Sequence, residues 1–183
     1  QKNNGIEYIV IDGKSRDNTT EIIKKNIKKI DYFESKKDLG VYHAMNKAIK
    51  YATGEYICFI NADDWLENNT VKYIIKNYEE LRNYDIFYGN QNIYDKNHKL
   101  YKSIANHKYL KFYMSLAHQS VYVKKSLYLK KKYDLNYKIS ADYELFLYHK
   151  LKKKRFIKID RVLSNFRING LSSDKKKIAK RVF

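Results

Sequence analysis

The stretch that decides the fold is Ile57–Trp65, ICFINADDW. An apolar, β-favouring run ends here in two adjacent carboxylates, Asp63 and Asp64. Its first residues close a predicted strand, Glu55–Ile60 (EYICFI), and the segments on either side repeat the same theme. Upstream, Val41, Ala44, Met45, Ala48, Ile49 and Ala52 recur at helical spacing and form one apolar face, with Gly54 expected as the C′ residue. Further upstream, Ile6–Ile11 (IEYIVI) reads as a buried strand broken by Asp12-Gly13. Asp17 or Asn18 is the expected N-cap of a helix running to about Lys29. Tyr32–Glu34 is a second short strand. Downstream, Val71, Ile74, Ile75, Tyr78 and Leu81 have helical spacing. Ile86–Tyr88 and Gln91–Tyr94 read as a strand kinked at Gly89.

Strands alternating with helices in this way predict an α/β fold, with a mostly parallel sheet flanked by helices. The second half is less regular. Ser120–Val123 reads as a strand. Ser140–Lys152 reads as a helix with Ala141, Leu145, Tyr148 and Leu151 inward. Phe156–Ile159 and Val162–Arg167 read as late strands, and the C-terminal SSDKKKIAKRVF as a basic helix or tail.

The bulk composition bounds the possibilities. A chain of 183 residues with 44% hydrophobic content can bury a core and is not a disordered tail. The 38 basic and 20 acidic residues leave a formal charge of +18, which suits phosphate-bearing ligands, nucleic acid or an anionic membrane. Richness in Lys, Asn, Ile and Tyr with no Pro also fits an AT-rich coding sequence. The single Cys58 cannot form an internal disulfide and fits a reducing, cytoplasmic compartment. No apolar run approaches the ~20 residues that span a bilayer. The start, QKNNGIEYIV, lacks an initiator Met and a signal-peptide core, so the chain is expected to be an N-terminally truncated domain.

In open α/β sheets, ligands bind beyond the carboxyl ends of the strands. Asp12 follows the first strand, and Asp63 and Asp64 follow the third. Two carboxylates beside Asn61 suit a hard divalent cation completed by substrate phosphates. Alone, they would also suit the N-terminal end of the helix that follows. Asp12, with Gly13 and Ser15, could accept from a base N–H or a ribose hydroxyl, or could simply close a turn.

VIDGKSRDNTTEII, then DLGVYHAMNKAIKYATGEYICFINADDW, resembles glycosyltransferase family 2, which has the GT-A fold. The motifs stand in the family's order. HQSVYVKKSLY and ISADYELFLYHKL are similar to its acceptor half, and RVLSNFRINGLSS to its tail. The resemblance implies a single transferase domain over 1–183, with a nucleotide-sugar half at 1–95 and an acceptor half at 96–183. It implies that Asp12 contacts the base and Asp38 lies near the nucleotide-sugar. Asp63 and Asp64 would hold Mg²⁺ or Mn²⁺ and the diphosphate. Asp142 would be the catalytic base of an inverting transfer. His118 would lie near the acceptor or the metal, and Arg167 could reach the diphosphate. Relatives often have Asp where His43 stands, Gly at Ala48 and Asp at Asn61. The family normally begins with a strand and loop that clasp the base, and this chain starts after them.

The expected partners are a nucleotide-sugar donor, UDP-linked, and a glycan or lipid-linked glycan acceptor of bacterial surface polysaccharide synthesis. The Lys clusters at 124–125, 130–132, 152–154 and 175–177 suit peripheral contact with an anionic membrane at its inner face. Two other readings compete. A basic nucleic-acid module would use the +18 charge and the 28 aromatic residues. Most aromatics fall in predicted core elements, however, and carboxylates at the strand ends would repel phosphates, so nucleic acid is not an expected partner. An inactive transferase fold kept as a binding subunit would bind nucleotide without turnover.

Overall fold

The computed structural model describes residues 5–168; the C-terminal SSDKKKIAKRVF segment lies outside them. In chain order the elements are β1 (Ile9–Asp12), α1 (Thr19–Lys25), β2 (Tyr32–Ser35), α2 (Val41–Tyr51), β3 (Tyr56–Ile57), β4 (Trp65–Leu66), α3 (Thr70–Lys76) and α4 (Tyr78–Leu81). They continue with β5 (Ile86–Asp95), β6 (His98–Ser103), β7 (Val121–Lys124), α5 (Lys125–Lys130), α6 (Ala141–Leu151) and β8 (Phe156–Ile168). The α/β class stands. The described residues divide into two compact units: those up to 57 with 124–141, and 58–123 with those from 142 on.

In the first unit, β1 and β2 pair in parallel, from Ile9↔Tyr32 to Asp12↔Ser35. Parallel strands need a crossover, and α1 with a 3₁₀ turn at Ile27–Lys29 supplies it. The predicted helix to Lys29 therefore ends at Lys25. Asn18 is its N-cap residue without a side-chain cap bond, while Asp17 Oδ1 accepts from Thr19 N at 3.0 Å. α2 packs its apolar stripe on β1, burying Met45 and Ile49. Its end differs from expectation. Ala52 is the C-cap in an extended conformation, and Gly54 is not among the positive-φ residues. Just beyond the helix, Glu7 holds the chain by accepting from Thr53 N at 2.6 Å. Asn46 of α2 grips the chain at Tyr133, donating to its carbonyl at 2.8 Å and accepting from its amide at 3.1 Å.

The second unit is built on β5, whose first eight residues are all buried. β8 runs parallel to its whole length, β7 antiparallel to its start, and β6 antiparallel to its end. β4 pairs antiparallel with β8. The sheet is thus mixed, because β6 returns directly by a hairpin and needs no helical crossover. The two predicted late strands are one, β8, while the run kinked at Gly89 is the single strand expected, β5. Gly89 does not break the strand; it allows a close approach. A Cβ there would lie 2.4 Å from Leu163 Cγ and 2.7 Å from the Arg161 carbonyl. The register between β5 and β8 shifts around this point. The predicted helix over Val71–Leu81 is two short ones, α3 and α4, meeting at Asn77, whose side chain turns back to the Tyr73 carbonyl at 2.7 Å. In α6, Leu145, Phe146 and His149 are buried, whereas Leu151, expected inward, is exposed. No helix of the described residues is long and apolar enough to cross a membrane.

Candidate active site

Each unit gathers part of the expected site. In the first, Asp12 closes β1 and its carboxylate is almost saturated. It accepts from Lys14 N at 3.1 Å, from Ser15 N, from Ser15 Oγ, and from Ser35 Oγ at 2.6 Å. The parallel register puts Ser35 level with Asp12, so β2 delivers that hydroxyl. Burial alone would raise the Asp12 pKa. The hydroxyls of Ser15 and Ser35, with two backbone amides, outweigh it and leave the group below its ordinary value. Lys14 takes a left-handed φ of 70° to wrap the loop around the carboxylate.

Asp38 stands against the same loop. A Cβ on Gly13 would meet Asp38 Oδ2 at 2.8 Å, so glycine there admits Asp38 beside Asp12. Asp38 Oδ1 accepts from Gly40 N at 2.9 Å, and His43 Nδ1 accepts from Leu39 N at 3.1 Å, fixing the turn into α2.

In the second unit, Asp63 is exposed and Asp64 half-buried in the loop before β4. Asp64 Oδ2 accepts from Gln119 Nε2 at 2.7 Å, and Oδ1 accepts from the Arg167 amide at 3.1 Å. Burial raises its pKa; these two bonds, with one from the Asn61 side chain, offset that only in part, and the charge of Asp63 adds to the rise. The Arg167 guanidinium lies over Trp65, 5.3 Å from the ring centroid, and its Nε is buried without a hydrogen-bond partner.

Gln119 belongs to a 3₁₀ turn, His118–Ser120, that leads into β7. Its carboxamide oxygen accepts from Gln91 Nε2 at 3.1 Å, and the same nitrogen donates to Ser164 Oγ at 3.1 Å. Ser164 in turn shares a hydroxyl contact with Ser120. This buried chain fixes the orientation of the Gln119 amide that faces Asp64. Cys58 donates to the Gln119 carbonyl at 3.4 Å; burial pushes its thiol up to about 12, so it stays a protonated strut.

The neighbouring residue of that turn faces the other carboxylate. His118 Nδ1 lies 3.9 Å from Asp142 Oδ2, at the start of α6. Its ring sits between Phe59 and Phe146, with centroids 5.9 and 5.8 Å away. Burial lowers the His118 pKa against the opposing charge of Asp142. His118 therefore adjoins Asp142, and the described residues hold no cluster of three His, Cys, Asp or Glu able to cage a metal. Asp63 and Asp64 offer a smaller set. Two adjacent carboxylates, one with its burial incompletely offset, fit a hard cation that keeps waters and takes its remaining oxygens from phosphates. The structure thus groups Asp12 with Asp38, and Asp64 with Arg167, and sets His118 beside Asp142. Reading the sequence missed Gln119, Gln91 and Ser164 as parts of one relay. Only the adjacency of Gln119 to His118 hinted at it.

Comparison with known proteins fits this arrangement. The family model described as "Glycosyl transferase family 2" matches residues 1–143. An Escherichia coli protein, UDP-Glc:alpha-D-GlcNAc-diphosphoundecaprenol beta-1,3-glucosyltransferase WfgD, is 31% identical over 107 residues, covering 56% of this chain and 40% of that protein. The chain spans less than half the length of that relative. Among solved structures, Staphylococcus aureus TarS 1-349 in complex with UDP-GlcNAc superposes with a TM-score of 0.74 at 18% identity, over 93% of this chain and 52% of that one. The mannosyltransferase PcManGT from Pyrobaculum calidifontis, in complex with GDP-Man and Mn²⁺, gives 0.64 at 14%, over 96% and 52%. These likenesses show the fold, which is GT-A. With its family model running from residue 1 to 143, the chain belongs to glycosyl transferase family 2.

Proposed function

We propose that this glycosyltransferase moves a sugar, with inversion, from a UDP-linked donor to an acceptor hydroxyl on a glycan or lipid-linked glycan of a bacterial surface polysaccharide. Residues 1–95 serve the donor and 96–183 the acceptor. The observation that carries the reading is the His118-Gln119 dipeptide, which faces Asp142 with one side chain and Asp64 with the next. A base and a diphosphate-facing carboxylate are what displacement at an anomeric carbon requires on its two sides.

In this reading an Asp142 oxygen takes the proton of the acceptor hydroxyl. The acceptor oxygen forms its bond to the anomeric carbon as the bond from that carbon to the phosphate oxygen breaks, and the electron pair leaves with the nucleoside diphosphate. Buried, neutral His118 orients Asp142 without competing for the acceptor. Gln119 and the Arg167 amide hold Asp64 toward the diphosphate, and the Arg167 guanidinium adds a positive charge there. Mg²⁺ or Mn²⁺ held by Asp63 and Asp64 would supply charge neutralisation at the leaving diphosphate. Asp12 shapes the loop that meets the base, and Asp38 lies beside it near the nucleotide-sugar. A UDP donor is supported by the UDP-Glc in the E. coli relative's name and the UDP-GlcNAc bound by TarS. The diphosphoundecaprenol in that relative's name supports a lipid-linked acceptor, and with it a place at the inner face of a membrane.

Calorimetric titration with UDP, with Mn²⁺ and then with EDTA, tests the donor side. Metal-dependent binding is expected. Binding indifferent to EDTA would overturn the metal assignment. Nucleotide binding without transfer from any UDP-sugar to any polyprenyl-linked acceptor would identify an inactive binding subunit instead.

A further inference from the structure

The second unit carries an exposed surface that the transfer reading leaves unused. From Lys96 to Val123 the sequence has no Asp or Glu, but has Lys96, Lys99, Lys102, Lys108 and Lys111. The same segment is rich in exposed large apolar side chains. Phe112 is 79% exposed, and Ile104, Tyr113, Leu100 and Tyr109 are all near half exposed or more. Residues 98–102 of β6 are exposed throughout, so this edge strand is lysine-bearing and apolar together.

The apex is a short 3₁₀ turn, His107–Lys111, followed by Phe112 and Tyr113. It is rigid, although exposed. Leu110 is fully buried, and the Asn106 side chain accepts from Lys108 N at 3.0 Å. The Ser115 hydroxyl donates to the Asn106 carbonyl at 2.7 Å, and His107 Nδ1 pairs with the Tyr88 hydroxyl at 2.7 Å while its ring stacks on Phe156. Tyr143 of α6 donates to the Leu110 carbonyl at 2.9 Å. A loop so anchored holds Tyr109, Phe112 and Tyr113 out in water by construction. The rings of Tyr109 and Tyr113 stack on each other at 6.0 Å.

We infer that the Lys99–Tyr113 surface is a docking face for an anionic lipid bilayer, with Phe112 as the inserted wedge and Lys108 and Lys111 at the headgroups. Exposed apolar rings beside lysines, with no carboxylate along the segment, match an interface whose outer layer is negative and whose next layer is hydrocarbon. Lysine stems lie along the apolar surface while their ammonium groups stay at headgroup level. A single-stranded nucleic acid would also meet lysines and rings. The aliphatic Leu100 and Ile104, however, offer no face for a base to stack on, whereas both suit acyl chains. This inference does not depend on the sugar chemistry.

The test is co-sedimentation of the whole chain with vesicles of phosphatidylcholine alone, and with vesicles of equal parts phosphatidylcholine and phosphatidylglycerol. Binding is expected only to the second. Phe112→Ala should weaken it about tenfold, the scale of one buried aromatic side chain. The pair Lys108→Glu, Lys111→Glu should weaken it at least as much, and more so at low salt. All three positions are exposed, and circular dichroism checks that the variants stay folded. Binding to neutral vesicles alone, or binding unchanged in both variants, overturns the proposal. So does tighter binding to poly-deoxythymidine, or a lipid-independent dimer lost in Phe112→Ala, which would assign the face to nucleic acid or to a second copy.

Discussion

Asp12 and Asp64 are the same residue type, each near a strand end, yet their surroundings push them in opposite directions. At Asp12 the pKa is lowered: burial would raise it, but hydroxyls and amides from its own loop and from β2 converge on the carboxylate and outweigh it. At Asp64 the pKa is raised: burial outweighs the Arg167 amide and the Gln119 and Asn61 side chains, and the charge of Asp63 adds to the rise. The balance between desolvation and the donors that converge on each carboxylate therefore decides the outcome. A carboxylate satisfied by its own chain holds a loop in shape. One left with excess charge is ready for a cation from outside.

The largest expected effect sharpens the functional side of this contrast. Asp142→Asn should lower the transfer rate by about 10³-fold while leaving UDP binding within twofold. Steady-state kinetics beside calorimetry would read both, and a variant with full turnover would remove Asp142 from the role of base.

Next in size is Asp12→Asn. A carboxamide presents an N–H₂ to groups that are themselves donors, so a stability loss of about 2–3 kcal/mol is expected by urea unfolding. The pH dependence has a definite sign. A carboxylate with a lowered folded pKa contributes fully above its unfolded value near 3.8, and the contribution drains as pH falls through the folded value. Unchanged stability would break the picture of Asp12 as the loop's anchor.

His107 provides an independent control. Burial, with Lys150 and Lys108 nearby, lowers its pKa from 6.5 to about 4. The unfolded chain therefore binds a proton across that window and the folded chain does not, so stability should rise with pH from 4 to 6.5. Discounted for partial exposure, the change is about 2 kcal/mol. His107→Gln should flatten the dependence in thermal melts at stepped pH.

The smallest expected effect is the most direct test of the contrast. Asp64→Asn should change stability by less than about 1 kcal/mol, since the raised pKa means the ionised form is disfavoured in the fold. Metal-dependent UDP binding should weaken about tenfold. If Asp64→Asn were as destabilising as Asp12→Asn, the two sites would be alike after all.

The first half of the fold was the more legible. β1, β2 and α2 announce themselves by apolar runs and helical spacing, since each buries a regular face. Gly54 misled because α2 ends at Ala52 in an extended conformation, and the chain beyond it is held by Glu7, which is remote in sequence. The β5–β8 pairing was invisible, because one run read as a single strand kinked at Gly89 and the other, broken at Asp160-Arg161, read as two. Only the close approach of Leu163 to Gly89 explains why these runs make two strands in all. In the site, the carboxylates could be singled out by their place after strands. The Gln91–Gln119–Ser164 relay could not, since it joins residues from β5, the 3₁₀ turn and β8 that share no local pattern.

One further consequence lies in the His118-Gln119 turn. A single planar peptide unit links the residue beside Asp142 to the residue that grips Asp64. Backbone adjustment at either side chain is thus transmitted to the other within one bond framework. Substitutions at His118 will therefore also disturb the Gln119–Asp64 contact, and pairs of substitutions at 118 and 119 will depart from additivity.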